Sequence, residues 1–166
     1  MRVLGIDPGT VTTGYGVVDE DGGRITFVGA GGVATSAKQA FPERLKKIYE
    51  GLQAVIAEHH PDMVAVESLY FAKNVQSALK LGHARGVAVL AAVMNDLPVY
   101  EYSPTEIKQA VVGYGAAEKP QVQKMVMTLL KMDAIPAKLD TTDALAAAIC
   151  HIHSARMKDA VKGRKK

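Results

Sequence analysis

Hydrophobic residues gather early in three short runs, at 2–7, 14–20 and 24–31, each bounded by turn-forming residues. Runs of that length with such boundaries predict strands. Asp21-Gly22-Gly23 between the second and third is a hairpin signal, so the three are expected to form an antiparallel meander. The period then changes. Leu45, Ile48, Tyr49, Leu52, Val55 and Ile56 recur at helical spacing after Pro42, which predicts an amphipathic helix over 42–59 that stops before Pro61. A buried strand follows at 62–67. Asn74 suits the N-cap of a helix reaching about Met94. A fifth strand is expected at 98–102. Ser103-Pro104-Thr105-Glu106 then has the form of a capping box, and its helix should end at Gly113-Tyr114-Gly115. Glu118-Lys119-Pro120 opens another helix to about Lys131, and the last runs over 140–156.

The order βββ-α-β-α-β-α-α-α constrains the topology. A helical crossover makes a strand parallel to its predecessor in the sheet. The expectation is an α/β fold: a five-stranded mixed sheet, made of the three-strand antiparallel meander plus two parallel strands, with helices on both faces. A chain of 166 residues, 48% hydrophobic and 22% charged, suits one globular domain.

Charge adds one refinement. Residues 156–166 hold six basic groups against Asp159, a local charge of +5, which leaves the first 155 residues at −2. The domain is therefore placed at 1–157 and a basic, disordered tail at 158–166. Such a tail serves nucleic-acid binding or solubility, and composition does not choose between them. The single Cys150 excludes an internal disulfide and suits a reducing cytoplasm. No apolar run is long enough for a bilayer. Ala78, Gly82 and Gly86 share one helix face, which implies close packing, either on the sheet or on a second copy of the chain.

Two carboxylates stand out because each ends an apolar strand. Aspartate is depleted in strands and seldom buried unpaired. Asp7 either caps the Asp7-Pro8-Gly9 turn through local backbone bonds or belongs to a metal site. Glu67 ends the fourth strand in the same way. Asp140 and Asp143, three apart in a first helical turn, share a face; alone, they would read as complements to the helix dipole. Together the four form a set of hard oxygen donors suited to Mg²⁺ or Mn²⁺. Two such ions about 4 Å apart would promote phosphodiester hydrolysis. The histidines read as surface or packing residues.

Several blocks then resemble one family. Gly5-Ile6-Asp7-Pro8-Gly9, Thr13-Gly14-Tyr15-Gly16, the stretch from Glu67 to Asn74, the block from Ser77 to Gly86, Lys108 to Gly113, Ala117-Glu118-Lys119, and Asp140 to Ala146 are similar to the RuvC Holliday-junction resolvases over nearly the whole chain. The resemblance implies a ribonuclease H-like fold and a metal-dependent endonuclease, with two Mg²⁺ or Mn²⁺ ions per site. It implies a homodimer that nicks two opposed strands of a four-way DNA junction, beside the branch-migration complex of RuvA and RuvB. The family's acidic positions fall on Asp7, Glu67, Asp140 and Asp143, and its functional lysines on Lys108 and Lys119. Tyr70 takes the position of a residue that stacks on bases, with Phe71 beside it and Lys73 near a phosphate. Lys80 and Arg85 complete the expected DNA contacts. Two other readings compete: a sugar-kinase or actin-like ATPase, which shares the Gly-Ile-Asp opening but needs two such domains, and a binding module without catalysis.

Overall fold

A computed structural model describes residues 1–68, 74–133 and 139–163. Five strands form one sheet: β1 (Arg2–Asp7), β2 (Thr12–Asp21), β3 (Arg24–Ala34), β4 (Met63–Glu67) and β5 (Val99–Tyr102). Their order is β3-β2-β1-β4-β5. β2 runs antiparallel to β1 and β3, while β4 and β5 run parallel to β1 and to each other. The meander turns at Gly22 and Gly23, whose φ angles of 54° and 96° need residues without a side chain. β2 and β3 are longer than their apolar runs suggest. β3 continues through Gly31 and Gly32, paired with Tyr15 and Gly14. A Cβ at Gly31 would stand 2.7 Å from the Tyr15 hydroxyl, so this glycine accommodates a cross-strand ring rather than marks a turn.

The helices are α1 (Phe41–His59), α2 (Val75–Val93), α3 (Pro104–Val112), α4 (Lys119–Leu130) and α5 (Leu139–Gly163). The expected caps are present. The Asn74 side chain accepts from the Ser77 N–H at 3.2 Å. Ser103 and Glu106 close a capping box, and Gly113 ends α3 at a φ of 99°. Glu118 and Gln121 form a second box at the start of α4.

Side chains alternate across a strand, so each strand feeds two cores. Leu4, Ile6, Val17, Val64 and Val66 pack with Ile48 and Leu52 of α1 and Ala84 and Ala88 of α2. Val3, Val18 and Ala65 face the other way, against Ile107 of α3, Val126 of α4 and Leu145 and Ile149 of α5. The same alternation places Asp7 and Glu67 on the α5 side, at the ends of adjacent parallel strands.

One expectation changes. The last helix does not end near Arg156; the α5 backbone stays helical to Gly163. Lysine and arginine are good helix formers and favour a helix C-terminus, and no proline interrupts them. Gly82 and Gly86 do not pack on the sheet. They line an open apolar groove with Leu45, Leu79, Val87 and Leu90, and nothing stands within 4 Å of a Cβ built on Gly86. No described helix is long and apolar enough to cross a membrane.

Candidate active site

β1 delivers Asp7 and β4 delivers Glu67 to one edge of the sheet. α5 brings the third carboxylate. A Cβ on Gly5 would lie 1.8 Å from the Ala144 carbonyl oxygen, and one on Gly16 would lie 2.6 Å from Leu145 side-chain atoms. Only glycine at these points lets a helix lie so close to the sheet. That approach sets Asp143, the residue before Ala144, beside the strand ends.

A cleft of about 210 Å³ opens there, lined by Glu67, Lys108, Lys119 and Asp143 with an apolar back of Ile107 and Val122. Lys119 Nζ lies 2.6 Å from Asp143 Oδ2. Burial pushes the Glu67 carboxyl above its ordinary range, and the Asp143 charge pushes it further. A hydrogen bond with Asp7 and the charges of Lys119 and Lys108 draw it partly back. Five of the predicted residues thus interact at one place: Asp7, Glu67, Asp143, Lys108 and Lys119.

The others divide. Asp140 stands one turn before Asp143 on the α5 backbone, and its side chain lies outside the described residues, as do Tyr70, Phe71 and Lys73. Lys80 is exposed on α2. Arg85 pairs with Glu101 of β5 and is not brought to the carboxylates. Among the described residues no group of three His, Cys, Asp or Glu is arranged to hold a metal ion. His151 packs on the Tyr100 ring and shares a 2.8 Å hydrogen bond with the Tyr102 hydroxyl, and His153 bonds the Ala110 carbonyl. Both are packing residues, as expected.

The turn after Asp7 is held by Thr13, from one of the blocks noted above, and by two side chains outside them, Thr35 and Arg44. Buried Thr13 donates to the Gly9 carbonyl at 2.8 Å. The Thr10 carbonyl accepts from Thr35 Oγ1 at 2.7 Å and from both Nε and Nη2 of Arg44. Arg44 lies four residues before Ile48, on the buried stripe of α1, so its spacing could have marked it.

The family model described as "Crossover junction endodeoxyribonuclease RuvC" matches residues 3–151. A relative of that description from Geobacter sp. (strain M21) is 53% identical over 163 residues, covering 98% of this chain and 99% of its own. The Thermus thermophilus RuvC structure solved in complex with Holliday junction substrate is 36% identical, with a TM-score of 0.90 over 95% of this chain and 96% of that one. The yeast mitochondrial Holliday junction resolvase shares the fold at 12% identity and a TM-score of 0.67, covering 91% of this chain and 77% of its own. The fold is ribonuclease H-like.

Proposed function

This chain belongs to the RuvC family of crossover junction endodeoxyribonucleases, and we propose that it resolves four-way (Holliday) DNA junctions as a metal-dependent homodimer, by nicking two opposed strands. The observation that carries the reading is the meeting of Glu67 and Asp143 with Lys108 and Lys119 in one cleft, with Asp7 hydrogen-bonded to Glu67. Burial first, and then the Asp143 charge, raise the Glu67 carboxyl, so an ionised carboxylate is disfavoured there without a cation. That need for a cation, with donors made only of hard oxygens, fits Mg²⁺ or Mn²⁺. Asp7, Glu67 and Asp143, with Asp140 from the same helical turn, would hold such ions, two per site in this proposal. An ion held there would supply an activated water and offset charge on the phosphoryl oxygens.

The chain's own groups do the rest. Lys119, paired with Asp143 in the free protein, exchanges that carboxylate for a phosphoryl oxygen, and Lys108 faces the same cleft. The apolar wall of Ile107 and Val122 keeps bulk water from the phosphate and strengthens both contacts. Tyr70, Phe71, Lys73, Lys80 and Arg85 belong to the proposed DNA surface. The groove along α2 supports a homodimer, because exposed Leu79 and Leu90 flank its glycines. Two sites related by a two-fold axis reach two crossover strands at once, which linear duplex does not provide. Action in the cytoplasm, beside the branch-migration complex of RuvA and RuvB, completes the proposal.

The experiment is a nicking assay on a synthetic four-way junction with Mg²⁺, against linear duplex and against ATP hydrolysis. The expected result is paired nicks in the junction alone. Asp7→Asn should abolish nicking and leave junction binding near the wild-type level. ATP hydrolysis without nicking would refute the reading. Lost binding in a folded Asp7→Asn protein would show that the charge serves affinity rather than chemistry.

A further inference from the structure

His151 does more than fill space beside β5. It is 5% exposed, and its ring lies against Tyr100 and edge-on to Tyr102, with centroids 4.3 and 6.0 Å away. Its Nδ1 shares a 2.8 Å hydrogen bond with the Tyr102 hydroxyl. Burial pushes that hydroxyl up to about 12, so it carries its proton at neutral pH. A phenylalanine facing a leucine would fill the same space without taking a hydroxyl and an imidazole out of water. Apolar surfaces tolerate sliding, whereas a buried hydrogen bond sets one distance and one direction. The polar pair therefore supplies register rather than stability alone.

Register at this point bears on the site, because both partners are tied to it. Tyr102 ends β5 and stands opposite Glu67, the last residue of β4. The Ser68 N–H donates to the Tyr102 carbonyl at 2.8 Å. Strand alternation puts both side chains on the α5 side of the sheet, where Tyr102 packs. His151 follows Asp143 by two turns, about 12 Å along the same helix. β5 is a four-residue edge strand with β4 as its one strand neighbour. α5 is seated on β1 and β2 by Gly5 and Gly16, and it reaches β5 through His151, so these attachments flank β4. A helix held on one side of β4 can pivot about that seat. A second attachment on the far side removes the freedom.

We propose that His151 is a positioning residue: through Tyr102 it fixes the separation of Asp143 from Glu67, and with it the spacing of two carboxylates that hold the metal. This deepens the nuclease reading and rests on it. His151 acts through the Tyr102 hydroxyl and the pairing of β5 with β4, without itself touching the phosphate.

The test compares full-length wild type with Tyr102→Phe, His151→Asn, His151→Leu and Ile48→Val. Phenylalanine keeps the ring at 102 and removes only the bond. Asparagine keeps a polar atom near the place of Nδ1, and leucine does not. Ile48→Val trims the core on the other face of the sheet and matches the loss of stability. Two quantities are read: the nicking rate of bound junction at saturating Mg²⁺, and the rise in Tm that Mn²⁺ gives without DNA. Tyr102→Phe should nick about tenfold more slowly, the effect of a displacement of a fraction of an ångström. It should also gain less Tm from Mn²⁺, at unchanged junction binding in EDTA. His151→Asn should recover most of the rate that His151→Leu loses. Ile48→Val should lower Tm by a comparable amount, about 2–4 °C, and keep both quantities. A Tyr102→Phe protein that matches wild type in either quantity overturns the proposal, as do an equal loss of rate in Ile48→Val and equal losses in His151→Asn and His151→Leu. Where His151→Leu does not fold, Tyr102→Phe decides alone. Wild type that neither nicks the junction nor responds to Mn²⁺ refutes the nuclease reading; active wild type with an unaltered Tyr102→Phe refutes only the role of His151.

Discussion

Replacing Gly5 by alanine should damage catalysis more than it damages the fold. The new Cβ would stand 1.8 Å from the Ala144 carbonyl oxygen and 2.9 Å from the Ala148 N–H nitrogen. Non-bonded contact begins at about 3.5 Å, so a separation of roughly 1.7 Å must be made up by moving backbone. β1 is the central strand, paired on both sides, so α5 is the element that lifts. Overpacking of this kind costs about 1–3 kcal/mol, and a backbone obstacle places it near 3. In a domain of this size each kcal/mol lowers Tm by about 2–4 °C, giving a fall of roughly 6–12 °C. Asp143 immediately precedes Ala144 and moves with the helix. Misplacing a reacting group by about 1 Å costs on the order of 100-fold in rate. The assay pairs a circular-dichroism melt with the nicking rate at saturating junction, well below the variant's Tm. An unchanged melt would refute the close approach. A lowered melt with an unchanged rate would refute the claim that this contact positions Asp143.

Two further outcomes follow from the electrostatics. In metal-free protein, Glu67→Gln should raise Tm at neutral pH by about 2–4 °C, the equivalent of about 1 kcal/mol. Burial and Asp143 raise the folded-state carboxyl above its ordinary value of 4.5. The charged form is therefore the less stable one, and stability is lost as pH rises through the folded value. The gain should vanish below pH 4.5, where the carboxyl is protonated in both states; a loss of Tm at neutral pH would contradict it. Lys119→Met should cost less than about 1 kcal/mol, because its pair with Asp143 is half exposed on the lysine side. Nicking should nevertheless fall by about 10²–10³-fold at an almost unchanged junction Kd; comparable losses in melt and rate would make Lys119 structural.

Much of this arrangement was readable along the chain because its signals are local. The period change at Pro42, the capping box at Ser103 and the turn at Gly22-Gly23 each occupy a few residues. Chain order alone then placed Asp7 and Glu67 at one sheet edge. What escaped depends on contacts between distant elements. Gly5 reads as filler in an apolar run until α5, about 140 residues later, is laid across it. Arg44 sits on the buried stripe of α1, but a search for apolar periodicity passes over a charged residue. The basic cluster after Arg156 suggested disorder by composition, whereas a helix C-terminus favours the same charges. Spacing offered no sign that Lys119 and Asp143 would meet, since α4 and α5 are joined by a long connection.

The site's charges explain why its supports are so rigid. Burial and the Asp143 charge both disfavour an ionised Glu67, so holding these carboxylates together carries a cost. Each carrier is accordingly locked by something other than the site. β1 and β4 are sheet strands with cores on both faces. α5 is seated by Gly5 and Gly16. α3 and α4, which carry Lys108 and Lys119, both begin with a capping box and a proline in the first turn. In the proposed complex a phosphate enters among carboxylates that repel it, and Lys108 and Lys119, which line the same cleft, are the protein's own cations that hold it there.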